Sequence, residues 1–179
     1  GALVEMDFDA YHVRLIARLI GYELPAGSVH EYFGRFYFSR NDLTDAEYEQ
    51  SKQITFRLLY GGIDREFLSV PFFAQVNDCI IKLWTQWKRQ GYIKTAIDQR
   101  ILSREQFPDM TKNKLFNYYL QSLETEVSVR KLNQVLEYLT EYNSCIVLYT
   151  YDSVLFDIDP AEAKKIISEI RSLLESGNL

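Results

Sequence analysis

The sequence predicts an α+β fold in which helices pack on one antiparallel sheet and a run of helices occupies the middle of the chain. Strand-like apolar runs stand near both ends, at residues 3–8 and 144–159. Between them, apolar residues recur every three or four positions, which is the period of an amphipathic helix. The 179 residues contain no repeat and no low-complexity segment, so they fit one domain or two small subdomains that share a core.

Three of the predicted helices have a recognisable start signal in the sequence. Asp9 is a favoured residue for the N-cap of the first helix, and Thr44 with Glu47 three positions later forms a capping-box pattern. Pro160 suits the first turn of a terminal helix. Residues 91–102 and 144–159 are predicted to form hairpins. The expected helices cover residues 10–24, 43–62, 72–90, 111–142 and 160–176, with a short helix over 63–70 and mixed helix and loop over 28–42.

Composition limits the functional classes. Nearly half of the residues are hydrophobic, with 13 Tyr and 11 Phe, which is ample for a packed core. The net charge of −5 gives no support to general nucleic-acid binding, so a basic surface must be local or lie outside this chain. Cys79 and Cys145 stand in apolar stretches and are predicted to be reduced core residues. No usual zinc spacing joins them to His12 or His30.

The expected location is cytoplasmic, or the interior of a host cell if the protein is viral. The sequence contains no signal-peptide pattern, and its apolar runs are too short to span a bilayer, so no membrane partner is expected. The chain starts abruptly on a strand-like run, which favours an excised piece of a longer protein.

Two carboxylates stand at strand ends far apart in the sequence. Asp7 ends the first strand, and Asp152 lies at the tip of the last hairpin. Ordinary structural roles compete: Asp7 could be a helix N-cap, although Asp9 suits that role better, and Asp152 could serve turn chemistry alone. Carboxylates of this kind are also natural ligands for Mg²⁺, and two such ions flanking a phosphate support an in-line displacement.

An aromatic stripe marks the helix predicted after Thr44. Tyr48, Lys52, Phe56 and Tyr60 recur every four positions and therefore share one face. Such a stripe is usually core, but a lysine in its middle argues against burial because an unpaired ammonium is costly to desolvate. A cation between aromatic rings suits a ligand that has both a phosphate and a planar base.

Three motifs in order give the chain a resemblance to family A DNA polymerases, the bacterial polymerase I and phage replicative type. "DFDAYHVRLIARL" is similar to the first family motif, D-Y-S-x-x-E-x-R, and "KQITFRLLYGG" to the fingers motif, K-x-x-x-F-x-x-x-Y-G. "YDSVLFD" is similar to the third motif, H-D-E-L-V-F-E, and "NYYLQS" resembles N-A-P-x-Q-G. The resemblance covers nearly the whole chain, as a palm and fingers portion. It implies palm at residues 1–38, fingers at 39–91 and palm again at 92–179.

The resemblance assigns the chemistry to matched positions. It implies that Asp7 and Asp152, with the backbone carbonyl of Phe8, bind two Mg²⁺ ions. It also implies that Lys52 holds the triphosphate of the incoming nucleotide and assists catalysis. The implied reaction is template-directed nucleotidyl transfer, in which a primer 3′-oxygen attacks the α-phosphate of a deoxynucleoside triphosphate.

The remaining matched positions imply contacts with nucleotide and DNA. Phe56 is implied to lie against the sugar and Tyr60 near the templating base, while His12 replaces the glutamate that excludes the ribose 2′-hydroxyl. The DNA contacts are implied for Asn117, Gln121 and Arg14. The implied partners are primer-template DNA, deoxynucleoside triphosphates, and the thumb segment and any exonuclease segment of the same protein.

Departures from the family motifs leave a second hypothesis open. Tyr48 stands where the family has an arginine, so that phosphate contact is either missing or supplied by another residue such as Arg57 or Arg65. Tyr151 and Ser153 replace the family's histidine and glutamate on either side of Asp152. The alternative is therefore a catalytically impaired, palm-like module for nucleic-acid binding or assembly. A third reading is an α+β protein with chance motif matches.

Overall fold

The computed structural model describes residues 1–175, and within them it contains six α-helices and five β-strands. The α+β prediction is confirmed. The helices are α1 (Tyr11–Ile20), α2 (Val29–Phe38), α3 (Asp45–Gly61), α4 (Pro71–Gln90), α5 (Lys112–Leu139) and α6 (Ala163–Glu175). The strands are β1 (Ala2–Asp7), β2 (Tyr92–Lys94), β3 (Ile101–Ser103), β4 (Cys145–Thr150) and β5 (Ser153–Ile158). A short 3₁₀ helix, Arg65–Ser69, precedes α4.

The main sheet joins the two ends of the sequence. Its strand order is β1-β5-β4, and both pairings are antiparallel. Strands β4 and β5 form a hairpin that turns through Tyr151 and Asp152, and Tyr151 takes the left-handed conformation with φ 53°. Strands β2 and β3 form a separate two-stranded sheet. Both hairpins expected from the sequence are therefore present.

One face of the main sheet is packed and the other is open. Val154, Phe156 and Ile158 alternate along β5 and pack against helices α5 and α6. Side chains on a strand point alternately to opposite faces, so the intervening residues face away from this core. On that open face Leu3 and Leu148 are more than half exposed. The sheet is therefore anchored to the helices from one side only.

Helix α5 contributes buried residues to three hydrophobic cores. It contributes Phe116 and Leu120 to a core with α1–α4, and Leu123 to a second core that includes the β2–β3 hairpin. Farther along, Val135 and Leu139 join the core beneath the main sheet. The long helix predicted over residues 111–142 is confirmed with slightly shorter bounds. Because α5 is one continuous helix, it fixes the position of the main sheet relative to the helical part of the chain.

The capping box predicted at the start of α3 is confirmed. The Thr44 side chain accepts a hydrogen bond from the Glu47 amide at 3.3 Å, and the Glu47 carboxylate accepts one from the Thr44 amide at 2.8 Å. We expect Thr44→Ala to lower the free energy of unfolding by about 1 kcal/mol, since it removes an acceptor for an otherwise unpaired helix amide. Chemical denaturation would measure the change. Thr44→Ser retains the cap and is the matched control, and equal stability of all three proteins would contradict the expectation.

Three local predictions are wrong. Asp9 does not cap α1: the N-cap is Ala10 in a left-handed conformation, because the Asp9 carboxylate instead pairs with Arg14. Helix α6 begins at Ala163, since the turn after Asp159 occupies the Pro160 region, and the predicted end at residue 176 lies outside the described residues. Cys145 is exposed on the sheet edge rather than in the core, whereas Cys79 is partly buried.

Among the helices of residues 1–175, none has both the length and the apolar character that crossing a bilayer requires. The apolar residues of the longer helices pack in the cores described above.

Candidate active site

Asp7 and Asp152 lie at adjacent ends of paired strands. Asp7 is the last residue of β1 and opposes Ser153 of β5. The next amide along, that of Phe8, donates a hydrogen bond of 2.8 Å to the carbonyl of Asp152. Both aspartate side chains are exposed, and neither makes a hydrogen bond or ion pair within residues 1–175. The two carboxylates are therefore held on a rigid backbone with their oxygen atoms available.

The two carboxylates border different cavities. Asp152 lies on a cavity of about 600 Å³, and Asp7 lies on a cavity of about 400 Å³ that it shares with Arg14 and Lys131. The Tyr11 side chain lines both. The backbone thus brings the two aspartates together, while the side chains face neighbouring spaces. The larger cavity is lined by Ala10, Tyr11, His12, Phe56, Tyr60, Gln121, Glu124, Thr125, Tyr151 and Asp152.

His12 is hydrogen-bonded through both ring nitrogens. Its Nδ1 lies 2.5 Å from the Tyr60 hydroxyl, and its Nε2 lies 2.8 Å from an oxygen of the Glu124 carboxylate. Burial raises the pKa of Tyr60 to about 12, with smaller contributions from the Glu124 and Asp152 charges. The Tyr60 hydroxyl therefore stays protonated near neutral pH. These three side chains link helices α1, α3 and α5 at the wall of the larger cavity.

The predicted stripe on α3 is formed, but only its C-terminal half reaches the larger cavity. Phe56 and Tyr60 stack with their rings nearly parallel, 6.0 Å between centroids. Lys52 lies one turn earlier, with its ammonium 4.6 Å from the Tyr48 ring centroid and 2.7 Å from the Glu49 carboxylate. The hydrogen bond from Lys52 to Glu49 raises the pKa of the ammonium, so the lysine remains charged. Lys52 is partly buried and Glu49 is exposed, and ion pairs at a protein surface contribute little to stability, so the Lys52 ammonium can exchange partners.

His30 is a member of this region that sequence reasoning missed. Its ring lies 5.7 Å from that of Phe56 and 6.0 Å from that of Tyr48, so α2 covers the side of the stripe. The ring is buried, its Nδ1 has no hydrogen-bond partner among residues 1–175, and burial lowers its pKa. No spacing within the sequence could have indicated this contact, because α2 and α3 meet only in the folded chain.

Two of the three arginines considered for phosphate or DNA contacts, Arg14 and Arg57, are held by nearby acidic groups. Arg14 donates to the Asp9 carboxylate at 2.8 Å and to the Asp9 carbonyl at 3.0 Å. Arg57 pairs with Asp64 at 2.6 Å on the outer side of α3. Arg14 borders the Asp7 cavity, so its predicted DNA role would require the Asp9 pair to open.

Asn117 and Gln121 lie one turn apart on α5 with different surroundings. The Asn117 amide donates to the Tyr60 carbonyl at 3.2 Å and ties α5 to the end of α3. Its side-chain oxygen is buried and has no hydrogen-bond partner in the part of the chain that the structure describes. Gln121 is exposed and lines the larger cavity. Gln121 is therefore accessible to a ligand, whereas one end of Asn117 is already used inside the protein.

The oxygen ligands at this site suit Mg²⁺ that is bound together with phosphate groups. The carboxylate oxygens of Asp7 and Asp152 are unpaired within the described residues, and such oxygens are hard ligands. Within residues 1–175 no group of three or more His, Cys, Asp or Glu side chains is placed to hold a metal. Mg²⁺ is commonly bound by one or two carboxylates together with water and substrate phosphates, so two carboxylates fit that mode. A preassembled, all-protein metal site does not fit these residues.

The fold formed by the sheet, the long helix and the intervening helices is similar to that of a solved polymerase domain. The chain matches the solved structure of the POL domain of Pol1 from M. smegmatis, which is in complex with DNA primer-template and dNTP. The TM-score is 0.78 at 17% sequence identity, over 97% of this chain and 36% of that chain. This likeness is one of fold. No family model matches the sequence, and no curated protein is similar to it in sequence.

Proposed function

We propose that this chain is the nucleotide-adding part of a template-directed DNA polymerase. The observation that carries the proposal is the pair of carboxylates, Asp7 and Asp152, which are unpaired within residues 1–175 and lie at adjacent strand ends of a fold similar to a polymerase domain. The aromatic face formed by Phe56 and Tyr60 borders the same cavity as Asp152 and would accept the sugar and base. In this proposal residues 1–38 and 92–179 act as palm and residues 39–91 as fingers.

The proposed reaction is a single in-line displacement. A primer 3′-hydroxyl loses its proton and attacks the α-phosphorus of a deoxynucleoside triphosphate, and the bond from that phosphorus to the bridging oxygen breaks as pyrophosphate leaves. Asp7, Asp152 and the Phe8 carbonyl would hold two Mg²⁺ ions, which when bound supply a lower pKa for the attacking hydroxyl and charge neutralisation on the phosphates.

The chain's own side chains would position the nucleotide. The Lys52 ammonium would exchange its Glu49 partner for the triphosphate and stabilise negative charge as pyrophosphate departs. Phe56 would lie against the sugar, and Tyr60 would lie beside the templating base. Gln121, with Asn117 and Arg14, would contact the primer-template. Closure of α3 over the nucleotide would exclude water and complete the site.

The alternative is a catalytically impaired module that retains the fold. Two observations favour it. Ser153, which stands where the family has a glutamate, is buried and donates to the Glu5 carboxylate at 2.6 Å, so its side chain is used within the sheet. The arginine of the fingers motif is replaced by Tyr48. The net charge of −5 opposes strong binding to DNA by this chain without further segments.

Primer extension by the full-length protein tests the proposal. The reaction contains a primed template, deoxynucleoside triphosphates and Mg²⁺, and the readout is template-dependent lengthening of the primer. We expect extension that stops when EDTA is added. Binding of primer-template without extension, under conditions in which a known polymerase is active, would overturn the proposal and favour the impaired module.

A further inference from the structure

Glu124 is a buried carboxylate in the wall of the larger cavity, and no sequence motif considered above includes it. It lies on α5, 112 positions from His12 in the sequence, and its side chain is only 8% exposed. Its neighbours one turn away on the same helix face, Leu120 and Ser128, are buried too. An ionised carboxylate at such a position is costly without a partner, and the His12 Nε2 at 2.8 Å supplies one.

This contact determines which hydrogen-bonding roles the neighbouring groups take. An ionised carboxylate can only accept, so the Nε2 atom of His12 must carry its hydrogen. In the neutral ring Nδ1 is then an acceptor, and the Tyr60 hydroxyl 2.5 Å away must donate to it. The Glu124 carboxylate therefore fixes the His12 tautomer, the ring orientation and the direction of the Tyr60 hydroxyl together. Removing the carboxylate would leave the ring held at one end only.

We propose that Glu124 is a positioning residue for sugar selection, acting through His12 and Tyr60. This rests on the proposed function, in which Phe56 lies against the sugar, because His12 and Tyr60 line the same cavity as Phe56. A ring bound at both nitrogens has no polar atom left for a ribose 2′-hydroxyl. The hydroxyl would be pressed against the wall without a partner, which disfavours ribonucleotides. Without the Glu124 contact, the ring could turn and offer Nε2 to the 2′-hydroxyl. The effect concerns the sugar rather than the triphosphate, since a negative charge at Glu124 would repel phosphates.

Two substitutions of similar volume separate hydrogen bonding from packing. In Glu124→Gln the side-chain oxygen can still accept from Nε2, so selectivity for deoxyribonucleotides over ribonucleotides should be largely retained. In Glu124→Leu no acceptor remains, and we expect the ratio of the two kcat/KM values to fall roughly tenfold. Glu126→Gln is the matched control: Glu126 is equally buried on α5 but binds Thr95 and the Asp98 amide, away from the cavity.

Nitrogen-15 NMR of histidine-labelled full-length protein provides a readout that does not depend on catalysis. The chain has two histidines, so His12→Gln assigns the His12 signals within it. At about pH 8, well above the ordinary histidine pKa, wild type and Glu124→Gln should show the Nε2–H tautomer, and Glu124→Leu should show a mixture.

The outcomes separate the inference from the proposed function. A tenfold loss of selectivity in Glu124→Leu together with tautomer loss, and retention of both in Glu124→Gln and Glu126→Gln, supports the inference. Unchanged selectivity in Glu124→Leu overturns it, as does an equal loss of kcat/KM for both sugars. A fixed tautomer in an inactive wild-type protein would instead overturn the proposed function, and with it the role of Glu124 in sugar selection.

Discussion

Replacing Asp7 or Asp152 by asparagine is expected to abolish nucleotide incorporation by the full-length protein while leaving the fold intact. Each substitution removes a negative charge from a pair that is proposed to hold the catalytic magnesium ions. Metal stabilisation of the transition state contributes several kcal/mol, so we expect losses of at least about 10³-fold in kcat/KM. Single-turnover primer extension would measure the loss.

The Asp7→Asn and Asp152→Asn substitutions should lower activity without changing the free energy of unfolding. Both side chains are exposed and unpaired within residues 1–175. Substitutions of surface side chains that make no specific contact usually change stability by less than about 0.5 kcal/mol. Asparagine also tolerates the turn position of Asp152. Asp109→Asn, at an exposed carboxylate in the loop before α5, is the control and should retain full activity. Near wild-type extension by either Asp7→Asn or Asp152→Asn would eliminate that residue as a metal ligand.

Replacing Lys52 by alanine is expected to lower kcat/KM for nucleotides by about 10- to 100-fold. A hydrogen bond from an ammonium to a phosphate is charge-assisted and stronger than a neutral one, and its loss removes that contact with the triphosphate. The Glu49 carboxylate beside it holds the lysine charged, so the effect should not depend on pH near neutrality. Pre-steady-state incorporation over a range of nucleotide concentrations would separate binding from catalysis.

The Glu49–Lys52 pair provides the sharpest control for this prediction. Glu49→Gln releases the ammonium without removing it, so nucleotide binding should be retained or slightly tightened. Lys82→Ala removes an exposed lysine of α4 and should have no effect. If Lys52→Ala matched wild type in both KM and kcat, the stripe on α3 would be a packing surface, and the nucleotide assignment of Lys52 would be wrong.

Most secondary structure in this chain could be predicted from local patterns. The capping box at Thr44, the 3.6-residue period of α3 and α5, and the hairpin turning at Asp152 all depend on residues close in sequence. The error at the start of α1 occurred where a side-chain ion pair competed with the capping preference of an aspartate. Asp9 left the N-cap position because Arg14 binds its carboxylate.

The sequence by itself determined the α+β class, the aromatic face of α3 and the positions of Asp7 and Asp152 at strand ends, since strand alternation, helical period and turn chemistry act over a few residues. Only the tertiary structure decided which side chains meet. It placed His30 over Phe56, assigned Asp7 and Asp152 to neighbouring cavities, and brought Glu124 to His12 across 112 positions. Those contacts depend on how α1, α2, α3 and α5 pack around a shared core, and that packing is a property of the whole chain, which no local pattern contains.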